Sequence, residues 1–206
     1  MKRMISAMLV FVFMVLLTAC SSRVDLPKAV SKEGISPYEL SENEKYILQS
    51  FNMEDTSQII TFNAPKEAIT LNVSVYRLED GGKWGSIGGG GISIGADRKP
   101  IDKLTGTFTM QLKDNYSIDF VINASGKASY KTDEILLDSE IMVSTKEFLQ
   151  EFKEITINSE TPVALLVYDS GSSMKSYSLQ DYFEPSTFEG VDLVQVVTLE
   201  FSDNTK

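Results

Sequence analysis

The chain has 206 residues, with 19 basic and 29 acidic side chains, a formal charge of −10, no histidine and one cysteine. The missing imidazoles exclude Ser-His-Asp and Cys-His catalysis in their usual forms, and zinc sites that need histidine. The acidic balance disfavours nucleic acid as a partner, a single cysteine leaves no intramolecular disulfide to form, and no cofactor or metal site is expected.

The first twenty residues read MKRMISAMLVFVFMVLLTAC. Lys2 and Arg3 form a basic start. Ile5 to Leu17 form an apolar stretch too short for a bilayer span, which takes about 20 apolar residues. A charged start, an apolar run and small residues at the end have the order of an export signal. Leu17-Thr18-Ala19-Cys20 resembles the lipobox of bacterial lipoprotein precursors. The resemblance implies that the Cys20 sulfur receives a diacylglyceryl group and that cleavage leaves Cys20 as the first mature residue. The uniqueness of Cys20 agrees, since a lone cysteine in an exported protein would otherwise be an unexplained thiol. The mature chain would carry 17 basic and 29 acidic side chains, a formal charge of −12. The expected location is the extracytoplasmic side of a membrane, with the lipid at Cys20 as the membrane contact. Val163–Tyr168, the longest later apolar run, is only strand-sized.

Residues 20–36 read as the lipidated cysteine and a flexible tether, and 37–206 as one β-rich domain. A coil of that length spans roughly 20–25 Å. Ser36-Pro37-Tyr38-Glu39 carries a helix-start signature, and Ser41-Glu42-Asn43-Glu44 a second one. Leu40, Ile47, Leu48 and Phe51 share a helical face, which predicts an amphipathic helix over 38–51 packed against the rest of the domain. Ile69, Leu71, Val73 and Val75 alternate with polar neighbours as in a half-buried strand. Leu104–Leu112 and Tyr116–Ile122 alternate on either side of an Asp114-Asn115 turn and predict an antiparallel hairpin. A turn at 124–127 leads to a short strand at 128–131, and 135–143 reads as another. Ser144-Thr145-Lys146-Glu147, with Phe148, Leu149 and Phe152 behind it, predicts a short helix over 145–153, with strand as the alternative. Pro162–Tyr168 reads as a buried strand, Leu179–Phe183 as one helical turn stopped by Pro185, and Val191–Phe201 as the last strand.

Many short strands separated by turns predict a mainly β fold. The expected form is an immunoglobulin-like or jelly-roll-like β-sandwich, with the N-terminal amphipathic helix and one or two short helices. An α+β arrangement on one antiparallel sheet is the alternative.

Catalytic signals are sparse. Ser172-Ser173-Met174-Lys175 has S-x-x-K spacing but sits in a glycine- and serine-rich turn and lacks the companion elements. Glu79-Asp80, Asp138 with Glu140, and Asp181 with Glu184 are carboxylate clusters without an identifiable partner. The stretch GGKWGSIGGGGISIGADRKP, residues 81–100, fits neither a Walker loop nor a dinucleotide fingerprint, because no helix follows it. Its glycines read as a bulged strand, or a hairpin tip, with positive φ or close backbone approach. Trp84, the only tryptophan, lies among them and is the first candidate for a ligand or partner contact, with Tyr177 and Tyr182 as further candidates. The expected function is that of a non-enzymatic, membrane-anchored envelope module that binds a protein or glycan. The alternatives are a carboxylate-dependent enzyme acting on envelope glycan and an assembly accessory of an envelope complex.

Overall fold

A computed structural model describes residues 30–95, 103–172 and 175–205. The export signal, the Leu17-Thr18-Ala19-Cys20 motif and the Ser173-Met174 centre of the S-x-x-K match lie outside the described residues. Two antiparallel five-stranded sheets make a mainly β, sandwich-like fold. The first sheet runs in the order β1 (Gly34–Pro37), β2 (Ser57–Asn63), β5 (Thr105–Leu112), β6 (Ile118–Asn123), β7 (Lys127–Lys131). The second runs β4 (Lys83–Ser93), β3 (Thr70–Glu79), β10 (Leu193–Ser202), β9 (Glu160–Asp169), β8 (Val143–Phe148). One α-helix, α1 (Glu42–Ser50), joins β1 to β2. No helix among the described residues is long and apolar enough to cross a membrane.

The first sheet buries one face. Ile118, Phe120 and Ile122 of β6 and Phe108, Met110 and Leu112 of β5 point into the sandwich, while Thr109, Gln111, Asp119 and Val121 between them are half-exposed. The second sheet is different. Val163–Tyr168 and Leu193–Leu199 are buried without a break, the pattern of strands covered on both faces. Phe201 meets Phe62 across the interior, at 5.6 Å between ring centres. By the two-residue period Leu199, Val197 and Gln195 share that inner face, which leaves Val194 and Val196 outward.

Both open sides of the sandwich are closed. On one, β1 bridges to the segment after β8, where Ile35 N donates to Lys153 O at 2.8 Å and Lys153 N to Ile35 O at 2.9 Å. On the other, the glycine-rich β4 lies against β7, and the Tyr130 hydroxyl donates to Gly91 O at 2.8 Å. A Cβ at Gly90 would fall inside the Tyr130 ring, and one at Gly88 would come within 2.8 Å of Thr132 Cγ2. Gly88 and Gly90 therefore let an edge strand of one sheet seat on the edge strand of the other. The ladder also jumps from Val75↔Gly88 to Tyr76↔Ser86, so Ile87 is the extra residue of a β-bulge. The bulged strand is the arrangement found, and the hairpin tip lies earlier, where Gly81 and Gly82 have φ of 87° and 74°.

Several local expectations are corrected. The stretch read as the end of the tether contains β1, and Asn63 Nδ2 donates to the carbonyls of Val30 and Lys32. The helix does not begin at Ser36. Pro37 still pairs with Ile60, and Tyr38 N donates to Ile59 O, so the ladder holds that stretch extended. Only the second signature is used: Ser41 caps Glu44 N, and the Glu44 carboxylate accepts from Ser41 N at 2.8 Å. The helix buries none of its residues, and Tyr46, Ile47 and Phe51 are 70%, 53% and 71% exposed. The helix expected over 145–153 is replaced by strand β8, because pairing with β9 outweighs the local cap signal. The strand expected over 135–143 is an irregular segment that reaches β8 only at Val143, and β2 was not anticipated.

Candidate functional site

The outward face of the second sheet is where the site is built. Tyr76 and Leu78 of β3, Val194 and Val196 of β10, and Leu165 and Val167 of β9 share this face by register, with Trp84 of β4 opposite Leu78. Such a surface needs a cover, and residues 176–190 form a strap across it. Ser178 opens the strap with a cap on Asp181, whose carboxylate accepts from Ser178 N at 2.7 Å. Two short 3-10 turns follow, Leu179–Phe183 and Pro185–Phe188, and Leu179 and Phe188 turn their side chains inward.

The three sequence candidates Trp84, Tyr177 and Tyr182 come together here. The Tyr182 ring lies 5.3 Å from Trp84 and 6.4 Å from Tyr76, and Trp84 Nε1 donates to Tyr182 O at 3.0 Å. Phe188 sits between Trp84, at 6.1 Å, and Tyr177, at 5.2 Å. The Tyr76 and Tyr182 hydroxyls donate to the two oxygens of Glu160 at 2.6 and 2.7 Å. Burial, then the hydrogen bond to Glu160, holds both phenols above their ordinary pKa. All three candidates are half-buried, with the indole N–H engaged inside the protein. Their visible work is to fasten the strap.

A cleft of about 680 Å³ opens where the strap ends. One wall is the β3–β4 hairpin, from Arg77 to Gly82; the other runs from Pro185 to Asp192. Leu78, Ile87 and Val191 are half-buried and make its floor over buried Phe188 and Val194. Phe188 thus touches both the cleft and the aromatic cluster, whereas Trp84, Tyr177 and Tyr182 stand behind the wall. The rim is acidic: Glu79 and Asp80 on the hairpin and Glu189 and Asp192 opposite, against Arg77, the one cation among the described lining residues. Asp192 accepts from Ser170 N at 2.6 Å and from the Ser139 hydroxyl at 3.0 Å, which holds its carboxyl below the usual range.

The carboxylate clusters read from the sequence have separate fates. Glu79-Asp80 reaches the cleft rim, Asp181 is spent on the strap's cap, and Asp138 and Glu140 are exposed in the segment before β8. Among the described residues no group of three acidic, histidine or cysteine side chains could hold a metal ion. Arg77, Glu189 and Asp192 were not singled out in the sequence. Arg77 lies on one stretch of chain and Glu189 and Asp192 on another, and the pairing of β3 with β10 brings the two together. What the arrangement offers chemically is an apolar floor of ligand size beneath an anionic rim. No protein-family model, curated protein or solved structure matches the chain.

Proposed function

We propose that the protein is an exported, lipid-anchored binding module that takes its ligand or partner in the cleft between the β3–β4 hairpin and residues 185–192. The cleft carries the reading: about 680 Å³ of concave surface with an apolar floor lies within the range of specific ligand sites. The sequence motif ending at Cys20 supports the anchor. Two acyl chains give stable membrane attachment where one does not.

A thermal-shift screen of the mature domain against cell-wall peptides, glycans and small apolar compounds tests the cleft. A ligand of the cleft raises the melting temperature of the native protein and leaves Val191→Trp, which fills the floor, unmoved. If no compound does so, the proposal fails. The anchor is tested by labelled fatty acid, which enters the native chain and is absent from Cys20→Ala; retained label refutes it.

A second reading, an assembly accessory that recognises another envelope protein, is favoured by the exposed Tyr46, Ile47 and Phe51 on and beside α1. A photoreactive residue at position 47 should then cross-link in cells to one discrete partner. Diffuse or absent cross-linking counts against it.

A further inference from the structure

We infer that the cleft selects a cationic peptide segment, one that sets an apolar side chain on the floor and a lysine or arginine at the rim. The inference rests on the cleft being the binding site and names the class of its occupant. Its first support is charge. Asp80 and Glu189 make no salt bridge among the described residues and stand on opposite walls, while the Glu79 carboxylate lies against Gly85 of the hairpin. A concave surface with protein walls focuses the field of such charges, and the chain's net charge of −10 has the same sign. A ligand cation between the walls meets carboxylates from two sides.

The second support is the floor. Leu78, Ile87 and Val191 offer apolar surface that a bare cation such as a polyamine would leave wet. A metal ion is disfavoured because the carboxylates do not converge: no group of three among the described residues could hold one. Among the described lining residues, an anionic ligand would meet four acidic side chains and one guanidinium. A neutral apolar ligand would use the floor and gain nothing from the rim. The remaining class pairs an apolar body with a positive end, and a cleft open to solvent admits it as a segment of a longer chain.

The single tryptophan supplies the readout, since Trp84 packs on Phe188 and Phe188 lines the cleft. The mature protein is titrated with a blocked Leu-Lys-Leu-Lys tetrapeptide and with its glutamine and glutamate counterparts, followed by Trp84 fluorescence and calorimetry. The lysine peptide should bind about tenfold tighter than the glutamine peptide at low salt, the combined effect of two rim ion pairs. The glutamate peptide should bind weakest, and added salt should shrink the difference. Asp80→Asn with Glu189→Gln should bring the lysine peptide to the affinity of the glutamine peptide. Glu42→Gln with Glu54→Gln, on and after α1, should leave it unchanged.

Equal binding of lysine and glutamine peptides, both lost in Val191→Trp, would overturn the cationic class while the cleft stood. Equal weakening by the two double substitutions would show diffuse surface attraction and overturn the site. If no peptide binds, the inference falls, and the cleft itself then depends on whether any screened compound stabilises the protein in a way that Val191→Trp abolishes.

Discussion

Trp84→Ala separates two roles for the indole, a fastener of the strap or a free contact surface. Truncating a fully buried aromatic costs about 3–5 kcal/mol. Trp84 is half-buried, so its ring contacts with Tyr182 and Phe188 are worth about 2 kcal/mol. The Tyr182 carbonyl also loses its donor, which adds about 1 kcal/mol. Trp84→Phe keeps a ring against both neighbours and loses the N–H, so it should cost only about 1 kcal/mol. Urea unfolding followed by far-ultraviolet circular dichroism measures both. With a slope near 2 kcal/mol per molar, the midpoint falls by about 1.5 M for alanine and about 0.5 M for phenylalanine.

The strap can also detach before the sandwich unfolds. Amide exchange over Leu179–Phe188 would then accelerate in Trp84→Ala while the midpoint moves less. Either response assigns the ring to the strap. An alanine variant with an unchanged midpoint and unchanged exchange across the strap would refute the reasoning and return Trp84 to the surface-contact role.

Gly90→Ala should destabilise by about 1–3 kcal/mol through overpacking, because Tyr130 is pinned by its bond to Gly91 O and by stacking 5.3 Å from Phe120. Gly126→Ala, whose Cβ would meet only Ile92 Cδ1 at 3.7 Å, should stay within about 0.5 kcal/mol; equal costs in denaturant melts would refute the close-approach account of the glycines. Burial, with Tyr116 next, pushes the Tyr168 phenol up from 10.0 to about 12. A raised folded pKa means that the native state holds this proton more tightly. The contribution is therefore complete below pH 10 and is lost as pH rises toward 12, by about 2–3 kcal/mol. Tyr168→Phe should unfold with a flatter dependence between pH 10 and 12, and an unchanged slope would assign the alkaline loss to other groups.

Where a strand buries one face, the sequence shows it. Ile118, Phe120 and Ile122 alternate with polar or half-exposed neighbours, and so do Phe108, Met110 and Leu112. The misreadings arise where local chemistry is satisfied twice. Ser36-Pro37-Tyr38-Glu39 has the composition of a helix start, yet an edge strand also accepts proline, and pairing with β2 decides the matter. Ser144–Glu147 resembles a cap, but Val143 and Thr145 suit the edge position beside β9. In β2 the adjacent Ile59-Ile60 interrupts alternation, and the polar Ser57-Gln58 start hides the strand further. Trp84 stood out because a large ring among glycines has no local reason to be there. Its partner Tyr182 is 98 residues away, a separation that no local pattern encodes.

The strap and the cleft follow from one mismatch in strand coverage. Val163–Tyr168 and Leu193–Leu199 are buried on both faces and mostly apolar, so the second sheet must be covered twice. Leaving Leu165, Val167, Val194 and Val196 bare would forgo about 1.5–3 kcal/mol for each. That loss is comparable with the whole net stability of a domain, about 5–15 kcal/mol. The aromatic-rich 177–188 segment supplies the cover, held by Glu160 and Trp84. It must then turn back into β10, and Gly190, with φ of 83°, takes that corner. The β3–β10 ladder begins only at Arg77↔Gln195, while β3 continues to Glu79 and its hairpin to Gly82. The hairpin therefore overhangs the start of β10, and the returning strap faces it across unfilled space. The cleft is that overhang; Asp80 and Glu189 stand in the turns that bound it, and Glu79 is the last residue of β3.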